Sequence, residues 1–227
     1  MKKANGNPNL SVLLSLSLAL LLHLSLSAAD SQPANNDKAA ELLALFESEG
    51  NITNSLNAVM VWTPAGVRVG KTEVTQAQYQ RVMGTNPSRF PGGNRPVEMV
   101  SPSDAKQFCS RLTQLEQDAG TLPEGYSYGL PSQSDFDAWI QGTTLETAYV
   151  SLVGDRPSTT NVASLPPNPM GLHDVRGNVW EWCTDLTARG GSYQSHEDYL
   201  APAFRFVGDA NMKVMDIGFR VVLRADR

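Results

Sequence analysis

Apolar residues are arranged along this chain in three ways. From Leu10 to Leu26 they run almost unbroken, with serines and His23 among the leucines. From about residue 39 to 140 they recur at helical or alternating spacing. Beyond that they lose periodicity among glycines and prolines. In the middle region Leu42, Leu43, Leu45 and Phe46 predict a short helix within 39–48, ended by Gly50 and Asn51. Residues 57–63 (NAVMVWT) read as a strand, Pro64-Ala65-Gly66 as a turn, and Val67 to Val74 as a second strand. Three helix starts follow. Thr75 stands three residues before Gln78, a capping box ahead of Tyr79 and Val82. Ser101 precedes Pro102 and Asp104, with proline at the first helical position. Ala105, Phe108, Cys109, Leu112 and Leu115 then form one apolar helix face. Ser132 precedes Asp135, ahead of Phe136 and Trp139. The C-terminal region suggests short strands near 178–183, 190–193 and 217–223 between long irregular loops. There is no internal repeat, and no strand–helix alternation of a doubly wound sheet. The pattern predicts an α+β domain with low regular secondary structure.

The N-terminal apolar run changes the domain reading. Lys2 and Lys3 precede it, and Ser27, Ala28 and Ala29 follow it before polar sequence begins at Asp30. A basic start, an apolar stretch and small residues make residues 1–29 a predicted signal peptide, cleaved after Ala29. The run is short for a membrane anchor and is interrupted by serines. Residues 30–56 are then expected to be a lead-in, polar and flexible over 30–38 with the short helix after it, and 57–227 the main domain. The expected location is periplasmic or secreted, with no membrane span after cleavage. Loss of Lys2 and Lys3 takes the formal net charge from −5 to −7. A mildly acidic chain with scattered charges has no electrostatic reason to bind nucleic acid. In an oxidising compartment Cys109 and Cys183 could pair, or Cys109 could be a small buried apolar residue. Two cysteines are too few for a thiolate metal site.

Six blocks occur in a telling order: KTEVTQAQYQRVMGTNPSRF (71–90), RPVEMVSPSDAKQFCSRLT (95–113), GLPSQSDFDAW (129–139), PPNPMGLHDVRGNVWEWCTD (166–185), RGGSY (189–193) and GFRVVLR (218–224). In this order they resemble the formylglycine-generating enzyme, or sulfatase-modifying factor, family. The resemblance implies a C-type-lectin-like topology. It implies that Gly177, Gly190, Gly191 and Gly218 occupy turns or close backbone approaches, that Trp180 and Trp182 belong to the core, and that Arg220 pairs with a buried acid, Glu73 or Glu181. It also implies a structural calcium site, with side chains at Asp174 and Glu181 and carbonyls at Gly177 and Val179. Carboxylates with backbone oxygens suit that hard cation; the alternative is an acidic turn held by Arg176 or Arg220. The family's second calcium site is expected to be missing, because its segment is shortened to SLVGDRPSTTNVAS (151–164).

The family's oxidases carry two cysteines after GGSY that bind copper. In GGSYQSHEDYLAPAF (190–204) those positions fall on Ser195 and Leu200. A hydroxyl is a poor ligand for soft Cu(I), and leucine is none. No copper is therefore expected, and no catalytic residue is assigned. An iron centre of several histidines is not expected either, since His173 and His196 are the only histidines beyond residue 29. Ser195, His196 and Asp198 are too close along the chain to converge as a triad, and no nucleophile elbow is present. The expectation is an exported, non-catalytic binding or accessory module, a pseudoenzyme of the family, with a protein or peptide ligand. The alternatives are an oxidase that matures sulfatases and, on fold analogy with lectins alone, a carbohydrate-binding module.

Overall fold

The computed structural model describes residues 32–150 and 157–226. The predicted signal peptide lies outside the described residues, as does part of the shortened 151–164 segment. The chain divides after Glu47. Helix α1 (Gln32–Glu47) stands before the division and starts seven residues earlier than the leucine cluster suggested. Pro33 sits in its first turn, where no backbone donor is required, and Ala34, Ala39 and Ala40 favour helix. The polar stretch read as flexible is therefore helical from Gln32. No described helix is long and apolar enough to cross a membrane.

The unit after Glu47 contains two sheets. One has the order β1 (Ile52–Thr53), β2 (Val59–Trp62), β3 (Arg68–Gly70), β9 (Val222–Ala225), β4 (Tyr126–Gly129), antiparallel throughout. Ile52 pairs with Met60, so residues 48–56 belong to this folded unit rather than to a lead-in. The second sheet has the order β7 (Phe206–Val207), β6 (Thr187–Arg189), β5 (Trp180–Trp182), β8 (Ile217–Gly218), with β5 and β8 parallel. The strand expected at 190–193 instead ends at Arg189. Gly190 and Gly191 follow with φ of 94° and 79°, a left-handed conformation that turns the chain out of the sheet.

All three capping boxes form. Thr75, Ser101 and Ser132 each accept from the third residue of the helix they open, and Gln78, Asp104 and Asp135 reach back. They start α2 (Gln76–Met83), α3 (Pro102–Asp118) and α4 (Gln133–Ile140). Tyr79 of α2 stacks on Phe108 of α3 at 5.6 Å, and Phe219 meets both edge-on. The α3 face departs from the pattern at one residue: Leu115 is exposed and Glu116 is buried. The Glu116 carboxylate accepts from the Ser55 amide and hydroxyl and from the Tyr128 hydroxyl, so its burial is fully satisfied. On the other side, Phe136, Trp139 and Ile140 of α4 pack with Val61, Val69 and Val222. These elements give an α+β, C-type-lectin-like domain.

Candidate functional site

The segment DVRGNVWE carries the residues read as a calcium site, and the structure draws its acids into a buried cluster. Asp174 adopts φ 54°, a left-handed conformation that Asp tolerates. Trp180 to Trp182 form β5, which points Glu181 inward. Arg220 binds Glu181 through both arms: Nε to Oε2 and Nη2 to Oε1, each 2.6 Å. Nη1 and Nη2 also donate to the carbonyls of Gly70 and His173 respectively. Glu73, Asp174, Glu181 and Arg220 are all buried. Glu73 accepts from Asn178 Nδ2 at 3.0 Å, and Asp174 Oδ2 accepts from the Ala163 amide at 2.7 Å. Glu73 Oε2 and Asp174 Oδ1 are buried with no hydrogen-bond partner.

Three carboxyl groups thus surround one guanidinium. Burial, then the charges of Asp174 and Glu181, push the Glu73 carboxyl well above its ordinary value. Burial works to lower the Arg220 guanidinium, but Glu181, Glu73 and Asp174 outweigh it and hold it above its ordinary value. The expected Arg220 partner is therefore Glu181, with Glu73 nearby. Glu181 has both oxygens on Arg220, so the open carboxylate oxygens are those of Asp174 and Glu73. Among the described residues, no three His, Cys, Asp or Glu residues converge to hold a metal.

Ser195 and Leu200, the positions that the resemblance assigns to the cysteine pair, lie elsewhere, beside Gly191. A side chain on Gly191 would strike Leu200 Cδ2 and come within 3.4 Å of Ser195 Oγ, so the fold brings both positions to one point. Leu200 is buried at the end of a short 3-10 turn, Glu197–Leu200. Ser195 Oγ is buried and accepts from the Ser192 amide at 2.8 Å. His196 points to solvent and pairs with Asp198 at 3.3 Å rather than with Ser195. His173 Nδ1 meets the Leu165 carbonyl instead of a metal. Cys109 and Cys183 are both free and buried. Burial pushes the Cys109 thiol up to about 12 and raises that of Cys183 as well.

A cavity of about 450 Å³ opens at this place. Trp180, Tyr199, Phe204 and Phe206 make its aromatic wall. Ser192, Gln194, Ser195 and Asp216 make its polar wall. Trp182 is core, as expected, with its indole N–H on the Val100 carbonyl. Trp180 is mostly buried, yet one side of it lines the cavity. Asp216, Phe204 and Phe206 were not singled out from sequence. The aromatic spacing in YLAPAFRF was the available signal, but nothing in the chain order joins it to Asp216.

A family profile described as Sulfatase-modifying factor enzyme 1-like domain matches residues 44–225. The chain is similar to chaperone protein LppX of Paenibacillus barcinonensis, 24% identical, over 68% of this chain and 79% of that protein. In structure it is similar to Treponema denticola variable protein 1, with TM-score 0.62 and 23% identity, covering 77% of this chain and 94% of that one. It is also similar to PvdO from Pseudomonas aeruginosa, with TM-score 0.57 and 19% identity, covering 70% and 80%. At these identities the structural likeness is one of fold.

Proposed function

The chain belongs to the sulfatase-modifying factor enzyme 1-like domain family, and from that premise we propose that it is an exported, non-catalytic binding or accessory module. The observation that carries this reading is the pair Ser195 and Leu200. The fold still brings the two positions together beside Gly191, but they present a hydroxyl and an isobutyl group. Neither can hold Cu(I) as a thiolate pair does. The free thiols are no substitute. Cys109 sits in α3 and Cys183 follows β5, each buried and with its thiol pushed toward the protonated form. Beside these two positions there is an aromatic cleft of a size for a ligand side chain. A protein or peptide segment is the proposed ligand. The similarity to a protein named as a chaperone favours a protein client over a sugar. A calcium ion would be held by Asp174 and Glu73 through their unpartnered oxygens, and would supply positive charge to the acid cluster.

The test of catalysis is direct. Copper-loaded protein, reductant and a cysteine peptide are incubated in air, and the peptide is examined by mass spectrometry. No aldehyde above a no-protein control is expected, and turnover would reject the non-catalytic reading. The Ser195→Cys, Leu200→Cys double variant is expected to gain roughly one Cu(I) per chain, because both side chains already face one point. Absence of that gain would show that the Gly191 loop no longer supports a thiolate pair.

A further inference from the structure

We infer that the aromatic cleft is a receptor for a lysine side chain presented by a peptide; this rests on the binding reading above and names the chemistry its ligand must carry. Four aromatic residues, Trp180, Tyr199, Phe204 and Phe206, line one space. Trp180 lies 5.6 Å from Phe204 and 6.2 Å from Phe206, ring centre to ring centre, and Tyr199 lies 4.9 Å from Phe204. Rings around a cavity attract a cation through the negative potential over their faces, more strongly once the cation is desolvated. The polar wall adds a fixed charge of the matching sign. Asp216 is buried, and its backbone carbonyl takes the Trp180 amide at 2.8 Å, which holds acid and indole side by side.

The hydrogen bonds of Asp216 select the cation. Oδ2 accepts from Ser192 Oγ at 2.8 Å and from Gln194 Nε2 at 2.9 Å. Oδ1 accepts from no donor among the described residues, and Asp216 is one of the residues that line the cavity. No Lys, Arg or His is paired with Asp216 among the described residues. One open oxygen suits an ammonium, which binds as a point charge. It does not suit a guanidinium, whose fork needs both oxygens for its stronger bidentate pairing. The cavity, about 450 Å³, exceeds what a lysine stem needs, and Tyr199 and Gln194 at its mouth are exposed. The side chain is therefore reached from outside, on a longer ligand. The chain's net charge of −5 favours approach of a basic partner.

The experiment titrates full-length folded protein with acetyl-Ala-Ala-Lys-Ala-Ala-amide, read by tryptophan fluorescence and calorimetry. Parallel titrations use the same peptide with the lysine acetylated, with arginine in its place, and butylammonium alone. The lysine peptide is expected to bind about tenfold more tightly than the acetylated one, roughly 1.4 kcal/mol, and more tightly than the arginine peptide or butylammonium. Raising salt is expected to weaken it. Asp216→Asn keeps an oxygen for Ser192 and Gln194 and is expected to lose about the same tenfold. Tyr199→Ala, at an exposed ring, gives a second variant that leaves the core untouched and is expected to weaken binding several-fold. Equal binding of the charged and acetylated peptides, or no effect of Asp216→Asn, would overturn the lysine receptor while leaving a peptide-binding module standing. Binding of none of these probes would overturn it too. The module reading itself falls only on aldehyde formation in the separate assay.

Discussion

Replacing Arg220 with methionine is expected to destabilise the domain by about 3–5 kcal/mol, the usual cost of removing one partner of a buried ion pair. The guanidinium is fully buried and is the only cation that binds the buried Glu181 carboxylate among the described residues. Its loss leaves the Glu181 carboxyl buried without a countercharge, with Asp174 close enough to add repulsion. It also strips the Gly70 and His173 carbonyls of their donors. Domains have only about 5–15 kcal/mol to lose, so the urea midpoint should fall steeply and the chain is expected to accumulate unfolded at moderate temperature. The double variant Arg220→Met, Glu181→Leu is expected to recover part of the loss, since a buried pair replaced by apolar groups can be close to neutral. A midpoint for Arg220→Met within about 1 kcal/mol of the parent would show that the pair does not hold β5 to the segment around Phe219.

The second large effect is a dependence on pH and calcium. Glu73 has its folded value raised far above the ordinary 4.5 by burial and by neighbouring acids. A group raised in this way takes up a proton on folding. Its contribution is complete below pH 4.5 and is lost as pH rises through the folded value, at up to about 1.4 kcal/mol per pH unit for one proton. Glu98, raised chiefly by burial, runs the same way. Asp104, Asp135 and Asp185 have lowered values and run the opposite way: burial opposes their charge, but hydrogen bonds and basic neighbours outweigh it. The measurement is therefore a difference. In chelator, wild type is expected to lose stability with rising pH relative to Glu73→Gln, which keeps a neutral side chain. Calcium displaces the proton, so its stabilisation should grow as pH rises, reaching about 2.7 kcal/mol at a hundredfold excess over its dissociation constant. Asp174→Asn should reduce that gain. Melting curves that are the same with calcium and chelator at every pH would sink the calcium site. Parallel pH slopes for wild type and Glu73→Gln would sink the assignment of the proton.

Local signals in the sequence reported local structure well. Thr75, Ser101 and Ser132 start helices because each offers a side-chain oxygen to an otherwise unpartnered amide, and that chemistry needs only three residues of context. Arg220 could be assigned an acid because an arginine that deep needs one, but the choice of Glu181 over Glu73 depends on residues far apart in the chain. Glu116 was missed for the opposite reason. A helix stripe predicts Leu115 inward, and only Ser55 and Tyr128, brought in by other elements, make the carboxylate the better buried group. The cleft shows the same limit. Ser195 and Leu200 were legible through family resemblance, whereas Asp216 reaches them only because β8 runs parallel to β5, a pairing with no short-range signature.

The place of β9 has a consequence for how the chain is made. Its four residues, Val222–Ala225, are the last strand in sequence but sit between β3 and β4 in the sheet. While a ribosome is still delivering the preceding two hundred residues, β3 and β4 have no common neighbour to join them, and their inward edges stay unzipped. The sheet can close only when that final segment is free of the exit tunnel. Until then the nascent chain carries unpaired edges that invite association with other chains.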